Sequence, residues 1–145
     1  DSMSGFLEAY KNLSENNIKL IFGLRLTVCS DMYEKNEEER KKSSKYIIFA
    51  KNANGYKQLI KIYTFAAQEG FYYEPRMDFK NLKSLWSNDL LLAIPFYDSF
   101  LYKNKYTDSQ CVPDLSFTDP IFFLLCRIFS IFFGLSQTLF LQFLM

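Results

Sequence analysis

The sequence predicts an α/β fold, on three observations. From Lys45 to Asp78 a short run of aromatic and β-branched residues gives way to helical spacing and then to a stop. Upstream, residues 1–16 carry apolar side chains at helical intervals and are followed by an apolar run from Ile18 to Cys29. Downstream, Leu90 to Ile94 is a further short apolar run, closed by Pro95. Strand and helix signals that alternate along a chain are the mark of βα units.

Taken in order, Phe6, Ala9, Tyr10 and Leu13 share a helix face, with Ser4 as the expected cap, Glu8 near the positive end of the dipole, and Asn16 and Asn17 as the end. Ile18 to Cys29 reads as a strand with a bend or close backbone approach at Gly23. A strand, a helix and this strand would make a βαβ unit whose first strand lies before Asp1. Asp31 to Ser44 is densely charged, and Glu37 with Lys41 and Glu38 with Lys42 are favourable i,i+4 pairs. It reads as a short solvated helix in a connection, since its acids and bases cancel.

The central segment opens with a buried strand at Tyr46, Ile47, Ile48 and Phe49. Asn52 or Asn54 then offers an N-cap, and Tyr56, Leu59, Ile60, Tyr63, Ala66 and Ala67 form the expected buried face of a helix. Gly70 stands where a helix end favours positive φ, and Phe71, Tyr72 and Tyr73 lead into Pro75, which cannot continue a helix. Asp78 is placed to cap a short helix through Leu82, Leu85 and Trp86, and Asn88 and Asp89 turn the chain into the Leu90 strand. Beyond Phe96 the pattern weakens to one helical turn near Ser99 to Lys103 and an extended piece near Val112.

Composition narrows the chemistry. The 145 residues have a net charge of +1, too little for a general field that would grip nucleic acid. Cys29, Cys111 and Cys126 are widely spaced with no C-x-x-C pair, which argues against a disulfide framework or structural zinc and for a reducing cytoplasm. There is no histidine, so the commonest general base and metal ligand is missing. Nucleophilic catalysis by Cys29 or a serine lacks its base, and Asp1, Asp31, Glu34 and Asp78 share no helix or strand face that would pair carboxylates. Tyr56, Tyr63, Phe71, Tyr72 and Tyr73 beside Lys51, Lys57 and Lys61 resemble a base-stacking platform, but the spacing makes Tyr56 and Tyr63 core and the lysines an ordinary solvated face.

Two long segments carry a more specific signal. AKNANGYKQLIKI, from Ala50, followed by EGFYYEPRMD, ending at Asp78, closely resembles the PHP (polymerase and histidinol phosphatase) domain at the start of bacterial DNA polymerase III alpha subunits. GFLEAYKNL from Gly5 and IKLIFGLRLTV from Ile18 resemble the helix and strand that precede it there, in the same order, so the likeness covers about residues 1–95. Several motifs in order are far more specific than one. The resemblance implies a partial, distorted (β/α)7 barrel in residues 1–106, lacking its first strand, an irregular connection over 107–120, and an atypical hydrophobic segment over 121–145. That last segment holds seven of the sixteen Phe residues and Arg127 as its one charge. It is long enough to span a membrane. Because the family has no such anchor, an out-of-frame or aberrant continuation is the preferred reading over a transmembrane helix.

PHP domains of the metal-binding kind hold divalent cations with His, Asp, Glu and Cys side chains at strand ends. By resemblance, the family's Gly-Cys-Glu corresponds to Gly23, Leu24 and Arg25, its next-strand histidine to Lys45, and a later cysteine to the neighbourhood of Phe96 or Tyr97. A guanidinium or ammonium cannot ligate a cation. The expectation is therefore no catalytic residue and no bound metal in this chain. It would be a non-catalytic scaffold within a replicative polymerase, working with the rest of that chain and a proofreading exonuclease subunit, meeting DNA only through the parent protein, and cytoplasmic rather than membrane-bound. The alternative is a metal-dependent phosphoesterase or 3′-5′ exonuclease with a divalent metal.

Overall fold

The computed structural model describes residues 4–95 together with 97, 99, 100 and 102. Helix α1 (Phe6–Glu15) leads to strand β1 (Gly23–Cys29), helix α2 (Glu37–Lys42), strand β2 (Ser44–Ala50), helix α3 (Ala53–Gln68), strand β3 (Arg76–Asp78), helix α4 (Phe79–Ser84) and strand β4 (Leu90–Ala93). The strands form a mixed sheet in the order β3-β1-β2-β4. β1 runs antiparallel to β2 and parallel to β3, and β2 runs antiparallel to β4.

Alternation divides that sheet into two faces. Leu24, Leu26 and Val28 of β1, Tyr46 and Ile48 of β2, Met77 of β3 and Leu90 and Leu92 of β4 are buried with Leu59, Ile62 and Ala66 of α3 in one core. α3 starts where the Asn52 side chain accepts a hydrogen bond from Gly55 N at 3.0 Å, so Asn52 rather than Asn54 is the cap. Its buried line runs through Gly55, Leu59, Ile62 and Ala66. That corrects the expected face by a fraction of a turn: Ile62 is fully buried and Ile60 is 41% exposed. The sequence offered two isoleucines, and the sheet chose the one in line with Leu59 and Ala66.

Other local expectations are corrected for equally specific reasons. Gly70 has no positive φ; Gly5 is the glycine that does. Gly70 is a glycine because a Cβ there would collide with the Arg76 carbonyl. At α1 the N-cap is Gly5, at φ 81°, with no side-chain cap bond, so Ser4 does not fill the expected place. The strand predicted from Ile18 begins only at Gly23, and Ile18 and Ile21 are exposed. The close approach at Gly23 is real, because an added Cβ would lie 2.7 Å from the Phe49 ring across the ladder. β3 was not foreseen: three residues are too few to show a period.

The charged connection does form a helix, capped by Asn36 Oδ1 accepting from Glu39 N at 2.8 Å. It is not wholly solvated, since Glu39 is buried and its Oε1 accepts from Ser30 N (2.8 Å) and Asp31 N (3.3 Å), tying α2 to the end of β1. Asp78 caps α4 as expected, accepting from Asn81 N at 2.7 Å. The extended piece near Val112, the 107–120 connection and the 121–145 segment lie outside the described residues. No helix among the described residues is long and apolar enough to cross a membrane.

Candidate functional site

The face of the sheet opposite α3 carries the two positions singled out from the sequence. Arg25 and Thr27 alternate with the buried leucines of β1, and Thr27 pairs in register with Lys45, Arg25 with Ile47. Arg25 and Lys45 therefore stand on one face of neighbouring strands. Arg25 is exposed, and Lys45 is partly covered.

Both act on the same carboxylate. Lys45 Nζ lies 2.5 Å from Glu74 Oε2, in the segment between α3 and β3. Burial works to raise the Glu74 carboxyl, but the Lys45 hydrogen bond, with the charges of Lys45 and Arg25, outweighs it and holds the group below its usual range. Beside this pair opens a cleft of about 500 Å³ lined by Arg40, Lys41, Ser43, Tyr73 and Glu74. Arg40 lies over the Tyr73 ring, 5.5 Å from its centroid, and also bonds Glu37 at 3.0 Å. Tyr73 is 71% exposed with φ 61°, a left-handed conformation that a bulky residue rarely takes.

The segment is held from beneath by Arg76. This guanidinium is fully buried; Nε donates to Gly70 O (3.3 Å), and Nη2 to Met32 O (3.2 Å) and Glu34 O (3.3 Å). Tyr72 covers it at 5.0 Å. One side chain thus joins the end of α3 to the loop after β1. Sequence reasoning passed over Arg76, because nothing in Pro75-Arg76 separates a buried arginine from a surface one.

Asp1 lies outside the described residues, and the remaining candidates among the described ones are taken up in structural contacts. Burial pushes the Cys29 thiol up to about 12, against the opposing charge of Arg76, which leaves it protonated and inert. Asp31 accepts from Tyr33 N, and Asp78 is occupied at the α4 cap. Among the described residues no group of three or more His, Cys, Asp or Glu is placed to hold a metal ion. The side chains at Arg25 and Lys45 are cations, Lys45 paired with Glu74, and neither can ligate a divalent metal. Phe96 lies outside the described residues, and Tyr97 is exposed.

Comparison with known proteins places these features in a family. The PHP domain model matches residues 1–102. The chain is 34% identical over 84 residues to the DNA polymerase III subunit alpha of Borreliella burgdorferi, covering 57% of this chain and 7% of that protein. It is 35% identical over 92 residues to that of Chlamydia trachomatis, covering 62% and 7%. With the subunit of Aquifex aeolicus the identity is 34% over 89 residues, covering 57% and 8%. The chain thus spans less than a tenth of the length of these relatives. With its motifs in order and its matched region taking in every helix and strand described, the chain belongs to the PHP domain family.

Proposed function

We propose that this chain is part of a DNA polymerase III alpha subunit and serves DNA replication in the cytoplasm as a scaffold without chemistry of its own. The mixed sheet would form one wall of the family's distorted (β/α)7 barrel. Its role is to brace the polymerase and to dock a proofreading exonuclease, while DNA is met by other parts of the parent chain. The observation that supports this reading is the Lys45–Glu74 contact at 2.5 Å, with Arg25 on the same face of the sheet: the two positions that by resemblance correspond to the family's metal ligands hold cations, one of them paired within the chain.

The test is metal analysis of the parent protein after dialysis against zinc, manganese and magnesium in turn. The reading expects no stoichiometric metal at this domain, and co-purification of an exonuclease that is lost when the domain is deleted. Stoichiometric metal that depends on residues beside Arg25 would replace it with a metal-dependent phosphoesterase or 3′-5′ exonuclease.

A further inference from the structure

Residues 71–74, between α3 and the edge strand β3, are fastened by charge and not by burial. Phe71, Tyr72 and Tyr73 stand outside the core that joins α3 to the sheet, and Phe71 and Tyr73 are exposed. Their attachments are three basic side chains, each from a different element. Lys45 of β2 pairs with Glu74, Arg40 of α2 lies over the Tyr73 ring, and Arg76 of β3 lies against that of Tyr72. Within the segment, Tyr72 N donates to Glu74 O at 3.1 Å and closes a tight loop around Tyr73.

The closed arrangement carries two costs. Tyr73 has φ 61°, a backbone state that an aromatic residue holds only under constraint. Arg76 Nη1 is buried and has no hydrogen-bond acceptor among the described residues, although Nε and Nη2 donate to carbonyls. Lifting the Tyr72 ring lets water reach that guanidinium while its three carbonyl bonds stay in place. Attractions between partly exposed charged groups are weak and screened by salt, whereas the apolar burial that holds α3 is not screened.

We propose that residues 71–74 are a strap, latched by Lys45 and Arg40, that opens as a unit while the core stays folded, with ionic strength setting how often it opens. Opening parts Glu74 from Lys45 and uncovers the Arg76 charge at this edge of the sheet. The strap belongs to the fold and stands whether or not the domain is a scaffold.

The experiment follows amide hydrogen exchange of the full chain by NMR at about 0.05 M and about 1 M sodium chloride, reading the Tyr72 amide against that of Ile62 in α3. The Tyr72 amide is expected to exchange about threefold faster at the higher salt, with Ile62 unchanged. That comparison uses the wild-type chain and needs no variant to fold. Lys45→Gln and Arg40→Gln are each expected to raise Tyr72 exchange about threefold at low salt and to reduce its salt dependence. Tyr72 exchange that ignores salt, that moves only together with Ile62, or that keeps its full salt dependence in both variants overturns the strap.

Discussion

Lys45 and Glu74 meet at 2.5 Å although 29 positions separate them in the chain. Their side chains keep 21% and 35% exposure, so the contact is screened and its worth to stability is modest. It matters as a geometric tie between the sheet and the segment that carries Tyr73.

That tie has a pH signature. The folded Glu74 carboxyl sits below its unfolded value, so its contribution is complete above that value and is lost as pH falls through the lower, folded one. In urea titrations, Glu74→Gln should cost about 0.2 to 1 kcal/mol at neutral pH. The gap from wild type should begin to close near the ordinary glutamate value of about 4.3 and vanish only once pH is below the lower, folded value. The charged groups that act on it are those of Lys45 and Arg25. A gap that grew on acidification would show the sign to be wrong.

Arg76 should be among the least replaceable residues. Arg76→Met leaves the Gly70, Met32 and Glu34 carbonyls without their donor in a buried site, at an expected cost of about 3 kcal/mol or more. Arg76→Lys should recover little, since a single ammonium cannot serve three carbonyls spread over two loops. Chemical unfolding of both variants measures this, and a lysine variant as stable as wild type would count against the clamp.

Gly70 discriminates between two reasons for a glycine. If positive φ were needed, Gly70→Asn would be tolerated and Gly70→Ala would not. Because the constraint is contact with the Arg76 carbonyl, both should destabilise, by about 1 to 3 kcal/mol. Thermal melts of the pair decide it.

The register of α3 can be read from two isoleucines. Ile62→Ala should cost about 2 to 5 kcal/mol, as for a fully buried aliphatic residue. Ile60→Ala, at a position 41% exposed, should cost a small part of that. Similar losses at both sites would place the helix a fraction of a turn from where it is described.

Several of these features were legible beforehand, and for a common reason. Asn52, Asp78 and the run Tyr46 to Phe49 act through neighbours within a few residues, so cap, stop and strand can be read from local order. The family likewise shows in motif order. What escaped notice depended on distant partners: Glu39 looks like one acid among several until the end of β1 supplies its two amides. Arg25 and Lys45 were named from the sequence as cations in ligand positions, but Glu74 was not named with them.

Local chemistry along the chain was enough to set an α/β alternation, the Asp78 cap and the positive charge at positions 25 and 45, because propensity and charge type belong to the residues themselves. The strand order, the choice of Ile62 over Ile60, the burial of Arg76 and the meeting of Lys45 with Glu74 were settled only once the sheet had assembled. Such contacts join segments far apart in sequence, and their energies exist only when packing brings the partners together and removes water from between them.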